Sequence, residues 1–299
     1  MATMFLHFAA MQNIVYAVFL ELFSELNFMK NRTVVFALLL CASLAFLTSC
    51  SEVAITGRQQ LNLVSDSSMN SMSEQSYRDF ISKAKISTDS EQTQVVRTVG
   101  SNIAAAVEKY CNQNNMADRV SGYSWEFNLI DDPAENAWAM PGGKVVVYSG
   151  ILKVTQNDTG LAVVMSHEIA HIVARHGNER MSQALMVDMG GMALSQALAN
   201  SPGKTQNLFL RSYSIGSEYG FMLPYSRVQE TEADRLGLIF MAMASYNPSE
   251  ALAFWQRMSA GKQGSQVPEL LSTHPTDQRR IENIQSFLPE AMGYYNQGQ

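Results

Sequence analysis

The chain has 299 residues, a formal net charge of −6 and 46% hydrophobic residues. This length provides one folded domain with a sizeable core. The acidic balance excludes nucleic acid as an expected partner, because phosphate binding needs a basic surface. Of the three cysteines, Cys41 and Cys50 lie near the N-terminus, so Cys111 stands alone in the remaining sequence and no internal disulfide is expected there.

The first fifty residues have the pattern of a secretory leader. Lys30 and Arg32 precede an apolar run over residues 34–47 that is short for a membrane span. The next residues, L-T-S-C ending at Cys50, resemble a bacterial lipobox, in which the cysteine thiol receives a lipid. We therefore predict that Cys50 is lipidated and that its acyl chains hold the mature chain at a membrane.

Residues 1–28 fit this leader poorly, because they are apolar and contain no lysine or arginine. We interpret them as upstream of a translation start at Met29; the alternative is a membrane helix ahead of the signal. The predicted organisation is a signal region over 1–49, with the signal peptide over 29–49, a lipid anchor and tether over 50–60, and a folded domain over 61–299.

The first half of the folded domain is predicted to contain helices over about residues 67–84 and 91–110 and a strand near 124–130. A β-hairpin follows, with Pro141-Gly142-Gly143 as its turn. A strand beside a cleft could bind an extended peptide through main-chain hydrogen bonds. The candidate substrate edge consists of Asn136, Ala137, Trp138 and Ala139. The alternative is a structural hairpin that packs beneath the next helix.

The segment after this hairpin predicts a helix that carries the pattern H-E-x-x-H. Asn157 and Asp158 are both suitable N-cap residues, and Gly177 is a suitable residue just beyond the C-terminal end. His167 and His171 are four residues apart, so their imidazoles project from one face and can bind a single Zn²⁺. Glu168 can then take a proton from a water beside that ion. Buried histidines that only form hydrogen bonds are the alternative.

A second acidic helix is predicted to begin at Ser226, which forms an S-x-x-Q capping box with Gln229. Glu230 and Asp234 are four residues apart and share a face. Glu230 can supply a third metal ligand, while Asp234 accepts a hydrogen bond from the far nitrogen of a ligand histidine. The alternative is a solvated acidic first turn. Glu232 lies on a different face and is expected to be an ordinary surface charge.

One further histidine, His274, and one arginine, Arg280, are candidates for a role near the metal. His274 or Arg280 could stabilise the oxyanion of a tetrahedral intermediate, and Arg280 could instead anchor a carboxylate. A second hypothesis is that His274 occupies the open metal position and blocks water. A third is that His274 only begins a helix. His176 is assigned a structural role as a cation at a helix C-terminus.

Four ordered motifs together resemble metallopeptidase family forty-eight, the HtpX-like and CAAX-prenyl-protease-like gluzincins. They are N-A-x-A-x-P-G-G at 136–143, H-E-x-x-H at 167–171, S-R-x-x-E-x-E-A-D-x-x-G at 226–237, and H-P-x-x-x-x-R at 274–280. The segment Ile-Thr-Gly-Arg-Gln-Gln-Leu at 55–61 is also similar to the opening of lipoprotein members. The likeness extends from about residue 55 to residue 288.

The resemblance implies a mainly α fold with a small β-sheet, an α+β gluzincin-type zinc metallopeptidase domain, over residues 61–299. It implies one Zn²⁺ per chain, bound by His167, His171 and Glu230, with Glu168 as general base and acid. The hypothesis is therefore a zinc-dependent endopeptidase, lipid-anchored in the bacterial envelope, that degrades damaged or misassembled envelope proteins.

The expected location is the outer membrane, facing the periplasm, with the outer-membrane assembly machinery as a candidate partner. Unfolded or misassembled envelope proteins are the expected substrates. The alternative function is a client-holding assembly chaperone for outer-membrane proteins on a latent peptidase scaffold. Glu168→Gln discriminates between the two functions, because only a chaperone would keep its cellular role after all proteolysis is lost.

Overall fold

The computed structural model of the chain describes residues 50–188, 202–213, 226–260, 269–274 and 278–297. The predicted signal region over 1–49 lies outside the described residues, as does Pro275 of the H-P-x-x-x-x-R motif. The described strands are β1 (Cys50–Glu52), β2 (Gln59–Leu61), β3 (Glu126–Ile130), β4 (Ala137–Met140) and β5 (Lys144–Tyr148).

The described helices are α1 (Asp66–Lys83), α2 (Ser90–Gln113), α3 (Leu152–Thr155), α4 (Asp158–Val173), α5 (His176–Asp188), α6 (Pro202–Ser212), α7 (Arg227–Met243), α8 (Glu250–Ala260), α9 (Glu269–Thr273) and α10 (Gln278–Gln297). This composition confirms the predicted fold class, which is mainly α with small sheets. None of the helices in the described ranges has the length and apolar character that a membrane crossing requires.

Among the described residues, the larger of the two small sheets contains the predicted hairpin. Its strand order is β3-β5-β4, with β3 parallel to β5 and β4 antiparallel to it. Gly142 and Gly143 form the turn with φ of 79° and 82°, a left-handed conformation that glycine adopts without strain. Strand β4 therefore lies at one edge of this sheet, and all four of its residues are buried.

Helix α4 is the central element of the core. The Asn157 side chain accepts a hydrogen bond from the backbone N–H of Gly160, which confirms the predicted N-cap. Every residue from Gly160 to Val173 is buried, because α4 packs against α2, α7, α8 and strand β4. A helix that is covered on all sides needs no polar face, and the largely apolar sequence of α4 agrees with this position.

The predicted end of this helix at Gly177 is wrong. Helix α4 ends at Val173, and Arg175 adopts a φ of 61°, which turns the chain directly into α5 at His176. Gly177 therefore lies inside α5. A Cβ at this position would come within 2.1 Å of the Tyr213 ring, so the glycine is required by close packing rather than by helix termination.

Helix α7 crosses α4 at close range. Its predicted capping box is present, with Ser226 and Gln229 each bonded to the other's backbone. A Cβ on Gly237 would lie 3.2 Å from the backbone N and Cα of His167. The missing side chain thus allows the helix with the acidic residues to approach the helix with the H-E-x-x-H pattern.

Candidate metal centre and active site

Helix α4 places His167 and His171 side by side in the core. Both side chains are buried, and their Nε2 atoms are 3.1 Å apart. The prediction that i and i+4 histidines project together is therefore confirmed for this helix. Two buried ring nitrogens facing each other at this distance are an arrangement that a shared metal ion would stabilise.

Helix α7 brings Glu230 to the same point. Its Oε1 lies 3.4 Å from His171 Nε2, and its Oε2 lies 3.5 Å from His167 Nε2. Burial alone would raise the pKa of this carboxyl, but the electrostatic interactions with His274 and Arg280 hold the pKa well below its usual range. Glu230 is therefore an ionised, buried carboxylate, which is a suitable ligand for a cation.

His274 completes a group of four ligand atoms. It follows α9, whose Leu270 backbone N–H donates to the carbonyl of Glu135, just before β4. His274 Nδ1 lies 2.9 Å from Glu230 Oε1 and 3.2 Å from His167 Nε2. The candidate ligand atoms of His167, His171, Glu230 and His274 all lie within 4.8 Å of one another.

This donor set fits zinc. Three imidazole nitrogens and one carboxylate oxygen are ligand types that zinc prefers. A tetrahedral Zn²⁺ with bonds of ~2.0–2.1 Å separates its ligand atoms by about 3.3 Å. The separations observed between His167 and His171, between His167 and His274, and between His171 and Glu230 are 3.1, 3.2 and 3.4 Å. These three separations therefore match the edges of such a tetrahedron, while His274 Nδ1 and Glu230 Oε1 lie closer together, at 2.9 Å.

Glu168 lies beside this group without belonging to it. Its Oε1 is buried and, among the described residues, accepts no hydrogen bond; His274 Nε2 lies 3.4 Å away. Burial raises the pKa of the Glu168 carboxyl to about 7, and the electrostatic interaction with His274 acts in the opposite direction. A carboxyl with a pKa near neutrality can both accept and release a proton, which suits acid–base chemistry.

The carboxylate of Asp234 faces the far nitrogen of His167. Asp234 Oδ1 lies 3.1 Å from His167 Nδ1. The same carboxylate accepts two hydrogen bonds from Arg280, from Nε and Nη2, both at 2.8 Å. Arg280 also lies 2.8 Å from Glu230 Oε2 through Nη1, and its guanidinium stacks on the Trp255 ring at 3.7 Å from the centroid.

A second imidazole, which the sequence analysis missed, faces the far nitrogen of His171. His176 is fully buried at 0% exposure, and its Nδ1 lies 2.9 Å from His171 Nδ1. Burial lowers the pKa of His176, so it is not the helix-terminal cation that was predicted. The sequence shows this histidine five residues after His171. The structural role predicted for it depends on a helix end at Gly177, whereas the helix ends at Val173 and the next helix begins at His176.

Glu232 is also not the surface charge that was predicted. It is 2% exposed, and its Oε2 lies 3.1 Å from His176 Nε2. Its carboxylate accepts further hydrogen bonds from Thr56 Oγ1 at 2.6 Å and from Arg58 Nε at 3.0 Å. These hydrogen bonds outweigh burial, which acts in the opposite direction, and lower the pKa of Glu232 to about 2. Because α7 is covered on several sides, a residue that shares no face with Glu230 is still buried.

The hairpin residues 136–139 include most of strand β4, which packs against the helix that carries the two histidines. Asn136 and the β4 residues Ala137, Trp138 and Ala139 are all buried, and β4 packs against α4. The Asn136 carbonyl accepts a hydrogen bond from the Tyr148 backbone N–H, which continues the pairing with β5 by one residue. These contacts are consistent with a structural hairpin, and a substrate role for its edge stays a prediction.

The fold and the site together define a gluzincin-type zinc peptidase domain, in which an H-E-x-x-H helix and a glutamate from a second helix surround one metal position. The sequence model of Peptidase family M48 matches residues 100–288, and the chain belongs to this family. The family assignment confirms the resemblance drawn from the four motifs and a dependence on zinc.

Several well-described proteins are similar to this chain. The mitochondrial metalloendopeptidase OMA1 of Schizosaccharomyces pombe is 40% identical over 176 residues, which cover 58% of this chain and 50% of that protein. The human mitochondrial metalloendopeptidase OMA1 is 30% identical over 275 residues, which cover 89% and 52%. The beta-barrel assembly-enhancing protease of Escherichia coli is 28% identical over 166 residues, which cover 54% and 34%. The chain thus spans about half the length of the OMA1 relatives it matches.

These relatives correct the expected location. The lipobox-like residues ending at Cys50 predicted a bacterial cell envelope protein at the outer membrane. The OMA1 relatives from two yeasts, human and Arabidopsis thaliana are mitochondrial by name, so the bacterial outer-membrane location is wrong. A four-residue pattern of small residues and a cysteine is a far shorter signal than similarity across the domain. Lipidation of Cys50 stays a prediction.

Proposed function

We propose that this chain is a zinc-dependent endopeptidase that hydrolyses peptide bonds within unfolded protein segments. One observation carries the proposal: buried ligand atoms of His167, His171 and Glu230 converge beside a buried carboxyl, Glu168, whose pKa is raised to about 7. A purely structural cluster would have no need for an additional carboxyl whose buried Oε1 accepts no hydrogen bond from the described residues. The relatives named metalloendopeptidases support internal cleavage rather than the removal of terminal residues.

The residues of the chain divide the work of hydrolysis. His167, His171 and Glu230 would hold the ion. When bound, zinc polarises the scissile carbonyl and lowers the pKa of an adjacent water to ~7. Glu168 accepts a proton from the attacking water on a carboxylate oxygen and then donates it to the leaving amine. The raised pKa of Glu168 serves both steps, because the group is neither a strong nor a very weak acid at neutral pH.

Asp234 and Arg280 are proposed to position the ligands rather than to touch the substrate. Asp234 faces His167 Nδ1 and would fix the ring so that Nε2 points at the ion. The donors of Arg280 are directed at Asp234 and Glu230, and its plane is covered by Trp255. This engagement favours the carboxylate-anchor hypothesis for Arg280 over the oxyanion hypothesis.

His274 is proposed to close the site in the conformation described. Its Nδ1 lies among the ligand atoms, within 3.2 Å of His167 Nε2 and 2.9 Å of Glu230 Oε1, where a water would otherwise bind. His274 must then move aside before a substrate carbonyl can approach. His274→Ala is expected to raise the basal rate of cleavage; a fall in kcat with unchanged zinc content would instead favour the oxyanion role.

The substrate is proposed to bind in an extended form beside β4. This strand is at the edge of the three-stranded sheet, so its outer backbone groups are not paired with a described strand. Main-chain pairing reads no particular side chain, and it therefore suits unfolded segments of varied sequence. Hydrolysis is preferred over client holding because Glu168 and the ligand group are all retained in one buried constellation.

The test is the incubation of the full chain with an unfolded protein such as casein, with zinc, with a zinc chelator, and with zinc restored after chelation. The proposal predicts internal cuts, mapped by mass spectrometry, that stop with the chelator and return with zinc. Glu168→Gln should bind zinc normally and leave the substrate intact. Cleavage that persists in Glu168→Gln, or that the chelator does not affect, would contradict the proposal.

A further inference from the structure

The segment over residues 56–60 is part of the predicted tether. It contacts residues that surround the ligand group rather than the ligands themselves. Arg58 binds Glu179 through two hydrogen bonds at 2.6 and 2.8 Å. It also binds Glu232 through Nε and Nη2, both at 3.0 Å. These contacts join residues that are 121 and 174 positions apart in the sequence. A flexible tether would make no such set of directed, bidentate contacts.

Two further contacts fix this segment in place. Gln60 is buried, and its side-chain amide donates to the carbonyl of Ala174 at 2.9 Å, in the short connection between His171 and His176. Thr56 Oγ1 donates to Glu232 Oε1 at 2.6 Å. The segment therefore holds both the connection that carries His176 and the carboxylate that faces it.

The hydrogen-bonding capacities determine which nitrogen of each ring carries the proton. A carboxylate only accepts hydrogen bonds, so His176 Nε2, 3.1 Å from Glu232 Oε2, must be the donor. In the neutral imidazole the other nitrogen, Nδ1, is then an acceptor. His171 Nδ1, 2.9 Å away, must donate to it. His171 Nε2 is thereby left with its lone pair, and this is the atom that faces the ligand group.

We propose that Arg58, Glu232 and His176 form a positioning relay that fixes the ring and tautomer of His171 for zinc binding, so that the segment over residues 56–60 is part of the metal centre. The inference rests on the proposed function, because it takes His171 as a zinc ligand. Carboxylates that face metal-binding histidines set ring orientation and ligand basicity. Here the carboxylate acts through a second imidazole, and an arginine from the N-terminal segment holds that carboxylate.

The distinguishing variants change one hydrogen-bonding property at a time. His176→Leu removes the acceptor for His171 Nδ1–H, whereas His176→Gln retains an acceptor oxygen. Arg58→Ala removes the group that holds Glu232. Arg235→Ala is the matched control. Arg235 lies on α7, the helix that also carries Glu232, and it makes a similar bidentate pair with Glu290 of α10, at 2.7 and 2.9 Å. Arg235 makes no contact with the relay in the described structure.

The measurement is the zinc dissociation constant of the full chain, obtained by competition with a chelating dye. We expect His176→Leu to raise this constant by roughly 10–100-fold and His176→Gln by less than about 10-fold. Arg58→Ala should raise it by about 10-fold, and Arg235→Ala should leave it unchanged. Thermal unfolding of the metal-free proteins separates positioning from folding: His176→Gln and Arg58→Ala should keep a cooperative transition even if His176→Leu does not.

The outcomes separate this inference from the proposed function. A wild-type chain that binds no zinc would refute the proposed function itself. A wild-type chain that binds zinc, together with His176 and Arg58 variants that bind it equally well, would overturn the relay alone. Equal losses in His176→Leu and His176→Gln would also overturn it, since the relay requires an acceptor and not the imidazole as such.

Discussion

The two histidines of α4 are supported in different ways. His167 meets a carboxylate directly, because Asp234 Oδ1 lies 3.1 Å from its Nδ1. His171 meets a second imidazole first, and Glu232 stands behind that ring. Both carboxylates belong to α7. Asp234 contacts its histidine directly, whereas His176 lies between Glu232 and His171.

Each support also ends in an arginine from a distant part of the chain. Arg280 of α10 holds Asp234, and Arg58 between β1 and β2 holds Glu232. The regions that contain Arg58 and Arg280 therefore support different ligand histidines of one metal position. The difference teaches that ligand geometry in this domain depends on segments remote from the H-E-x-x-H helix, and that the two sides can be perturbed separately.

The largest effect is expected from a substitution at Glu168, which changes the proposed proton carrier and leaves the residues that support His167 and His171 unchanged. Glu168→Gln should lower kcat by about 10²–10⁴-fold, because general acid–base transfer is lost. Zinc affinity should stay at the wild-type value, since Glu168 lies outside the ligand group. Peptide cleavage and bound zinc are measured on the same preparation. A parallel loss of zinc would instead assign Glu168 to metal binding.

The next effect breaks the His167 side. Asp234→Asn should weaken zinc binding by roughly 10–100-fold, because His167 loses its carboxylate partner. Glu232→Gln should weaken zinc binding less, since His176 still separates the altered group from His171. Competition with a chelating dye gives the zinc dissociation constants of both variants, and the ratio of these constants compares the two effects. If Glu232→Gln lost more zinc affinity than Asp234→Asn, the contact through His176 would matter more than the direct contact of Asp234, contrary to our expectation.

A third change tests the contact between the two helices at His167. Gly237→Ala places a methyl group 3.2 Å from the His167 backbone, and neither helix backbone can yield easily. We expect a loss of about 1–3 kcal/mol in the free energy of unfolding. Urea titration of the metal-free protein measures it. Gly203→Ala is a suitable control, because a Cβ there meets nothing within 4 Å. Equal stabilities of the two variants would contradict the close-packing account.

The smallest effect concerns acid stability on the His171 side. The pKa of Glu232 is lowered to about 2 in the folded chain, from 4.5 for an ordinary glutamate side chain. A depressed carboxyl pKa stabilises the fold above the unfolded pKa, and this contribution is lost as the pH falls from about 4.5 to about 2. The wild-type chain should therefore lose about 2 kcal/mol more than Glu232→Gln over this window, measured without metal. Identical acid profiles would place Glu232 outside the hydrogen-bonded network.

Short-range patterns predicted much of the fold and the ligand group. The capping residues Asn157 and Ser226, the glycine turn of the hairpin, and the i, i+4 histidines depend on local geometry that neighbouring residues determine. Glu230 and His274 were found through motifs, since their partners lie 44 residues apart or more. The structure brings His167, His171, Glu230 and His274 together, while the role of each side chain stays a prediction.

The relay could not be predicted by the same reasoning. Arg58 and Glu232 are 174 residues apart, and no periodicity connects them. Glu232 was judged by the face it occupies on an isolated helix, yet α7 is buried on more than one face. His176 was judged by a helix end placed at Gly177, whereas the positive φ of Arg175 turns the chain two residues earlier. Local patterns specify the face of a helix or strand on which a side chain lies, but they do not specify which other elements pack against that face.

The most direct test of the central claim is anomalous diffraction at the zinc absorption edge from crystals of the full chain grown with zinc. The account predicts one strong peak per chain, bounded by His167 Nε2, His171 Nε2 and a Glu230 oxygen, with His171 Nδ1 within hydrogen-bond distance of His176 Nδ1. A peak bound by other residues, or no peak among these three side chains, would contradict it.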